Sequence, residues 1–324
     1  AKNVAVGYNA LNEMNSDTDN YNVAVGFEAG KKISTGLNNA VLGSLAGDAI
    51  TTGEANVALG RDALGATTVG HTNIALGRDA LASNVLGSSS IAIGALALQD
   101  QVPASASSPY NIAVGHHAAK NVTTGQHNVI MGGLAGESLD TGSANVAIGY
   151  NALGDETTGA NNVAIGYEAM SSSSLSQLNI AIGQQALQNV TLSSLNNSYN
   201  VGIGYNAGND VTSGQKNILI GGLAGSLMTT ASDNIGIGYN ALGSNTSASN
   251  NMGIGQSAGG AITTGTHNIV IGFAAGDAIT TGIRHTALGY GALTTETTGR
   301  AAVAVGYNAL ATLNVASNLE SYNV

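Results

Sequence analysis

Hydrophobic and polar residues alternate along this chain in a motif that recurs in a fixed register. The motif reads Asn, aliphatic, small, aliphatic, Gly, two variable residues and Ala, as in NVAIGYNA at residues 145–152. The structural residues of that copy are Asn145, Val146, Ile148, Gly149 and Ala152. Eighteen copies occur, and most successive motif glycines are 17 residues apart. A period of this length predicts a solenoid rather than ordinary globular domains.

The motif glycine is the reference point of each copy, and positions are counted from it. The motif glycines are Gly7, Gly26, Gly43, Gly60, Gly77, Gly94, Gly115, Gly132, Gly149, Gly166, Gly183, Gly204, Gly221, Gly238, Gly255, Gly272, Gly289 and Gly306. Spacings of 19 and 21 residues place three longer coils at 8–22, 99–111 and 188–200. We predict an all-β fold, a parallel β-solenoid of about 18 coils that forms one continuous array over residues 1–324. Because both ends fall inside the motif, we expect a fragment of a longer fibre.

Each coil has a predicted local structure. The residues one and three before the glycine are almost all Val, Ile, Leu or Met, and the residue between them is mostly Ala. This alternation predicts a strand of about five residues, with the aliphatics on one face and the small residue on the other. Ala follows three residues after every motif glycine, which indicates a tight point. Eleven coils carry another Gly ten residues after the motif glycine, often as Thr-Thr-Gly, which favours a turn. We therefore expect two short strands and two turns in each coil.

The two strand faces predict where the core lies. We expect stacked Val and Ile to form a dry interior seam, and stacked Asn side chains to hydrogen-bond from coil to coil. The small residues would then face outward, where a flat surface lets another chain approach closely. We interpret this stripe as an indication of a homotrimer. It comprises Ala5, Ala24, Ala58, Ala75, Ala92, Ala113, Ala147, Ala164 and Ala181.

Composition narrows the class of protein. The chain has 46 Gly, no Cys, 4% aromatic residues and a net charge of −10, so it carries no basic stripe that would neutralise nucleic-acid phosphates. No apolar run reaches the roughly 18 residues of a membrane span. The lack of Cys excludes disulfides and thiolate metal sites. We expect no nucleic-acid partner and no membrane span in this segment.

The motif Asn-Val-Ala-Ile-Gly-x-x-Ala resembles the head repeat of trimeric autotransporter adhesins, the YadA-like head, and it is similar to repeat arrays of bacteriophage tail fibres. The resemblance covers essentially the whole chain. It implies a left-handed parallel β-roll in which three chains intertwine around one axis. The repeat of the adhesin family is about three residues shorter, and the extra residues here would lie in the Thr-Thr-Gly turn. The resemblance is specific for fold and poor for function.

Glycine-rich segments look like repeats rather than nucleotide-binding loops. Residues 26–32 resemble a shortened P-loop without the Ser or Thr that follows its Lys, and the glycine pairs at 202–204 and 253–255 precede no expected helix. The six His residues show no metal-ligand spacing. His116 and His117 are adjacent, so on a strand they would point to opposite faces. We expect no catalytic residue, no cofactor and no metal.

Two sets of surface residues are candidates for contact with a target. Position +1 holds a column of aromatic residues that could bind glycan rings, cover the Ala-lined corner or pack against a neighbouring chain. Its tyrosines include Tyr150, Tyr167, Tyr205, Tyr239, Tyr290 and Tyr307. The longer coils are the second candidate, because insertions in repeat scaffolds commonly carry binding function. The insertion at 99–111 contains Pro103 and Pro109.

Charged residues suggest the contrasting enzymatic hypothesis. Arg61-Asp62 and Arg78-Asp79 lie one coil apart, and we expect them to stack as a solvated charge ladder. A polysaccharide-cleaving site is the sharper alternative.

The leading hypothesis is a non-catalytic extracellular or virion fibre segment that recognises a protein or glycan on a cell surface. A purely structural shaft and a catalytic tailspike are the alternatives.

Overall fold

The computed structural model describes residues 2–15 and 19–315. They fall into two compact units, Ala1–Asn161 and Asn162–Val324. No helix occurs in the described ranges. Residues 16–18 of the longer coil at 8–22, and the motif opening at 322–324, lie outside the described residues.

The first unit is a ladder of short parallel strands, one from each coil. Neighbouring strands pair in register, so that Val57 lies beside Ile74 and Ala58 beside Ala75. The strands of its described part are β1 (Val4–Val6), β2 (Val23–Val25), β3 (Ala40–Leu42), β4 (Val57–Leu59), β5 (Ile74–Leu76), β6 (Ile91–Ile93), β7 (Ile112–Val114), β8 (Val129–Met131) and β9 (Val146–Ile148).

The second unit repeats this ladder and adds a second, two-stranded parallel sheet formed by β11 and β13. In the main ladder Ile218 lies beside Ile235 and Leu219 beside Gly236. The strands of its described part are β10 (Val163–Ile165), β11 (Ser174–Gln177), β12 (Ile180–Ile182), β13 (Thr191–Asn197), β14 (Val201–Ile203), β15 (Ile218–Ile220), β16 (Ile235–Ile237), β17 (Met252–Ile254), β18 (Ile269–Ile271), β19 (Thr286–Leu288) and β20 (Val303–Val305).

The predicted fold class is confirmed: the protein is an all-β parallel β-solenoid of about eighteen coils with 17-residue spacing. The length of the motif strand and the number of strands in each coil were, however, overestimated. Each motif strand has three residues rather than about five, and a second strand occurs only at β11 and β13 in the described part. Elsewhere the rest of the coil is turn and bend, because it makes its hydrogen bonds to the next coil without extended geometry, as from the Leu64 N–H to the Ala80 carbonyl.

The orientation predicted for the strand was wrong. The small residue between the aliphatics points into the chain's own core, where Ala24, Ala147 and Ala181 are fully buried. The flanking aliphatics point outward. The reason is the narrowness of the coil: a Cβ built on Gly236, at the Ala position, would lie 3.2 Å from the carbonyl oxygen of Ala241. Val or Ile fits at that position only where the rest of the coil makes room.

An asparagine ladder runs through the interior, as predicted. The side-chain oxygen of Asn39 accepts from the backbone N–H of Asn56 at 3.0 Å and from its Nδ2 at 3.1 Å. The Nδ2 of Asn56 also donates to the Gly70 carbonyl at 2.8 Å. These side chains are buried, so each bond satisfies a group that water cannot reach.

One rung of the ladder is built from different residues. Ser90 replaces Asn, and its side chain is too short to reach the next coil. Gln101 comes from the following turn and fills the place: its Nε2 donates to Ser90 Oγ at 3.1 Å, and its Oε1 accepts from Asn111 Nδ2 at 2.9 Å. The chain of side-chain hydrogen bonds therefore continues across this coil.

The sizes of the side chains at positions +4 and +7 of a coil are complementary. Most coils with Gly at position +4 carry a large aliphatic at +7, as in Gly225 with Met228. Most coils with Leu at +4 carry a polar residue at +7, as in Leu242 with Asn245. A Cβ on Gly225 would lie 3.0 Å from Met228 Cε and 2.7 Å from Leu219 Cδ2. In such a coil the large side chain at +7 therefore occupies space near the missing side chain at +4.

The motif glycine is required by backbone geometry. At Gly149 φ is +132°, a conformation that L side chains rarely adopt. At Gly132, a Cβ would lie 2.3 Å from the Gly149 carbonyl oxygen in the next coil. Ala152, three residues after Gly149, is fully buried, which confirms the tight point predicted from the sequence.

Candidate functional site

The outer face of each unit is formed by the aliphatic side chains at positions −3 and −1. In the first unit Leu42 is 52% exposed and Ile148 is 36% exposed. In the second unit Ile182 and Ile218 are 37% and 38% exposed. Monomeric proteins rarely expose contiguous apolar ladders of this kind, so the outer face is a candidate interaction surface.

The aromatic column at position +1 borders this outer face on the side after the strand. All six predicted tyrosines, Tyr150, Tyr167, Tyr205, Tyr239, Tyr290 and Tyr307, are exposed. Rings in consecutive coils stack: the Phe273 and Tyr290 centroids are 5.0 Å apart, and those of Tyr290 and Tyr307 are 5.3 Å apart. The stacking occupies ring faces and leaves ring edges and hydroxyls toward solvent.

A second column, at position −5, borders the other side of the outer face. A shallow groove is lined jointly by Asp233 and His267 of this column and by Ile235 and Ile269 of the outer face. Tyr110 in the same column stacks on His127 with centroids 5.9 Å apart. This column was not expected from the sequence, although a signal was present: most residues at position −5 are polar or Tyr.

The prolines of the insertion at 99–111 do not form a contact surface. Pro103 and Pro109 are both buried, which corrects their assignment as surface residues. Pro103 packs close to Gly87, where an added Cβ would lie 2.8 Å from its Cγ. The exposed part of this insertion is Val102 and residues 104–106. In the longer coil at 188–200, β13 pairs irregularly with β11 and Leu195 is exposed.

The histidine pair was also placed wrongly. His116 and His117 lie in a turn rather than a strand, and their rings stack with centroids 4.0 Å apart instead of pointing to opposite faces. His117 has φ +59°, which turns its side chain back beside its neighbour. Its Nδ1 lies 2.8 Å from Glu137 Oε1 in the next coil.

The charge ladder has the predicted arrangement. The Nη2 of Arg61 lies 3.0 Å from Asp79 Oδ1 one coil further along, and Arg78 Nε lies 3.5 Å from Asp79 Oδ2. Both arginine side chains are more than half exposed. Exposed pairs of this kind contribute roughly 0–1 kcal/mol, so the ladder is a solvated surface feature.

Buried ionisable groups were missed by sequence reasoning. His285 replaces Asn in the ladder, where its Nε2 donates to the Gly299 carbonyl at 2.8 Å and its Nδ1 accepts from the Ala302 N–H at 3.2 Å. Burial lowers the pKa of His285 from 6.5, partly opposed by the bond to Gly299 and by nearby Glu296. Glu296 is itself buried and accepts from the Gly299 N–H at 2.6 Å. Their positions in the repeat, −4 and +7, were the available signal.

Metal and nucleotide sites find no support in the geometry. Over residues 2–15 and 19–315, no group of three or more His, Asp or Glu side chains is arranged to hold a metal ion. In the P-loop-like segment, Lys31 Nζ pairs with Glu28 Oε1 at 3.1 Å. Gly202 and Gly253 face the core, against Leu187 and Leu242.

Comparison with family models and with curated proteins found no match to this chain. A helix with the length and apolar character needed to cross a membrane is absent from the described ranges.

Proposed function

We propose that this chain is a non-catalytic fibre segment that assembles as a homotrimer through its outer face. Its setting is extracellular, on a bacterial cell surface or in a virion tail fibre. There it serves adhesion to a protein or glycan of a target cell. The observation that carries the proposal is the exposed aliphatic ladder of each unit, beside a core that is already closed.

The closed core supports self-association. Inside each coil, Ala, Leu and Asn side chains fill the interior, whereas outer aliphatics such as Leu42 and Ile182 leave 52% and 37% of their surface in water. Burial of apolar surface contributes about 25 cal/mol per Å². Covering a face of Val and Ile from successive coils with another copy therefore contributes favourable free energy of association. Obligate interfaces between subunits are similarly apolar.

The number of chains comes from the resemblance to intertwined adhesin heads. We assign the interface to the outer face rather than to the Ala stripe, because every Ala side chain of the stripe except that of Ala5 is buried within one chain. Recognition then falls to what remains beside the interface: the aromatic column and the exposed parts of the longer coils. This is a geometric mechanism, in which a stiff ladder presents side chains at fixed intervals.

A charged-face variant tests the assembly. We expect the double variant Ile182→Glu/Ile218→Glu to keep its β-sheet circular dichroism and to have the mass of one chain by light scattering, because buried charges are costly. Thr52 and Thr230 are exposed turn residues, so Thr52→Glu/Thr230→Glu is the matched control and should keep the wild-type mass. An unchanged mass in the charged-face variant would contradict assembly through the outer face.

The non-catalytic part of the proposal has its own test. The protein is incubated with capsule or other surface polysaccharide, and the release of reducing ends is followed. We expect none. Robust turnover that is abolished by substitution of one Asp or Glu would overturn the proposal in favour of a tailspike.

A further inference from the structure

The aromatic column is interrupted at places where the chain's own fold does not require a small residue. Position +1 is Gly in two coils, at Gly133 and Gly222. A Cβ on Gly133 would meet nothing closer than 3.7 Å, and one on Gly222 nothing closer than 3.4 Å. These are ordinary van der Waals contacts, and neither glycine has a positive φ. Their small size therefore needs a reason outside the single chain.

The stack formed by Phe273, Tyr290 and Tyr307 indicates what fits in such an interruption. There the ring of the middle coil, Tyr290, lies between its neighbours with centroid distances of 5.0 and 5.3 Å. At Gly222 the flanking coils carry Tyr205 and Tyr239, and the middle ring is missing. At the spacings of 5.0 and 5.3 Å seen in that stack, two rings that are two coils apart leave room for one further ring between them. We call Ser44, Gly133 and Gly222 the ring gaps, since Ser44 is the equivalent small residue after Phe27.

Tyrosines occur in the column at position −5, on the other side of the outer face, in register with the ring gaps. Among the described residues, position −5 is Tyr in three coils, and we call these the flanking tyrosines: Tyr21, Tyr110 and Tyr199. All three are about half exposed. Each precedes a ring gap by 23 residues, one coil further along, and the whole arrangement recurs every 89 residues. Ala95 is a small residue at +1 outside this arrangement, and the corresponding −5 residue is Thr72.

The two columns lie on opposite sides of the same outer face, so a flanking tyrosine and its ring gap face different neighbours. If the outer face joins identical copies around an axis, the −5 side of one copy meets the +1 side of the next. The axial offset between Tyr199 and Gly222 is then one coil, about 4.8 Å by strand spacing. Tyr110 already leans toward the following coil, because its ring stacks on His127.

We propose that each flanking tyrosine of one copy inserts its ring into the ring gap of a neighbouring copy. In the second unit, Tyr199 of one copy lies between Tyr205 and Tyr239 of the other, over Gly222. The contact is aromatic stacking, which is favourable beyond the burial of ring area. It fixes the axial register of the copies, which ladders of near-identical Val and Ile do not specify, since a slip by one coil would match equally well. This inference rests on the proposed self-association and adds the residues that set its alignment.

Adding a ring at Gly222 and removing the ring of Tyr199 tests the pairing of these two residues. Gly222→Tyr places a ring in the gap from the same chain, as in the neighbouring coils, and it should raise the dissociation constant of the assembly about thirtyfold or more, the scale of an interfacial hot spot. Adding Tyr199→Ala should recover most of the loss, because the inserted ring is then supplied in cis. Gln256→Tyr adds the same ring to the same column where the corresponding −5 residue is Asp233, and it should leave association unchanged.

Thiol labelling tests the contact without a bulky substitution. The chain has no Cys, so Gly222→Cys and Gln256→Cys each carry a single thiol in the same column. In the assembled protein we expect the Gly222→Cys thiol to react about tenfold or more slowly, and Tyr199→Ala to abolish the difference. Gly133→Cys with Tyr110→Ala repeats the comparison in the first unit.

The outcomes separate this inference from the proposed function. A single-chain mass in the unmodified protein overturns both. An assembled protein whose Gly222→Cys thiol is as reactive as the control overturns the insertion alone. Slow labelling that Tyr199→Ala does not accelerate also overturns it, because another group, such as a bound glycan ring, then fills the gap.

Discussion

The side-chain oxygen of Asn22 accepts two hydrogen bonds from Asn39, one from its backbone N–H at 2.8 Å and one from its Nδ2 at 3.1 Å. The same Nδ2 donates to the Gly53 carbonyl at 2.8 Å. One side chain thus links its own turn to the strand of the preceding coil. Because each coil depends on its neighbours in this way, stability is a property of stacked coils rather than of one coil.

Loss of one rung should be costly. We expect Asn56→Ala to lower the free energy of unfolding by roughly 2–5 kcal/mol, because the Asn73 N–H and the Gly70 carbonyl lose buried partners. Urea denaturation followed by circular dichroism measures this. Thr52→Ala, at an exposed turn residue, is the control and should change stability little. A loss below about 0.5 kcal/mol for Asn56→Ala would show that the ladder does not stabilise the fold.

Core complementarity predicts a contrast between two glycines of one coil. Gly225→Ala should destabilise the protein by about 1–3 kcal/mol, because its Cβ would overlap Leu219 and Met228. Gly222→Ala, three residues away, should cost well under about 1 kcal/mol, because its Cβ would meet only ordinary contacts. Thermal unfolding of the two variants makes the comparison. Equal losses would contradict the packing described for position +4.

Stability should depend on pH through His285. Its folded-state pKa lies below 6.5, so the unfolded chain binds more protons in the window between the two values. The contribution of neutral His285 is therefore present above pH 6.5 and is lost as pH falls through this window. Protonation would also place a hydrogen on Nδ1, against the Ala302 N–H.

The control for this pH dependence replaces His285 by Asn, the residue found at this position in most coils. His285→Asn should keep the rung and remove the part of the stability loss that develops just below pH 6.5. Denaturation midpoints of both proteins across pH 5 to 8 measure the difference, with the pH range chosen around the histidine pKa of about 6.5. Parallel curves for the two proteins would contradict a neutral buried His285.

The orientation of the strand predicts opposite effects at adjacent residues. Ala181→Leu should destabilise the chain by about 1–3 kcal/mol or more, because Ala181 is fully buried and Leu187 already fills its coil. Ile182→Ser should leave folding of the chain intact and weaken association, because Ile182 lies on the outer face. Unfolding curves and light scattering on both variants distinguish the two effects. The reverse result would restore the orientation first expected from the sequence.

The sequence predicted the repeat but not its inside and outside. Spacing of the motif glycines and the recurrence of Asn at position −4 were sufficient for the solenoid and for the Asn ladder, since both depend on identical residues stacking. Alternation of Val23, Ala24 and Val25 defines two faces without assigning either to the core. The assignment depends on coil width, which is set by the close approach of positions −2 and +3 across the interior, as at Gly236 and Ala241.

Some of the candidate contact residues could be placed from the sequence, and others could not. Exposure of Tyr150 and its equivalents followed from their fixed register after the motif glycine. Burial of Pro103 and stacking of His116 on His117 depend on the path of a turn, which no periodicity records. The turn residues of this fold repeatedly adopt positive φ, as at His117 and Leu242, so strand alternation does not apply to them.

The mass of the unmodified protein in solution tests its assembly as a homotrimer most directly. Light scattering coupled to size exclusion, at micromolar concentration, measures it without reference to shape. We expect three times the 32.0 kDa of one chain. A mass of about 32 kDa for the folded protein would contradict it, because the outer face would then be stable in water without a partner.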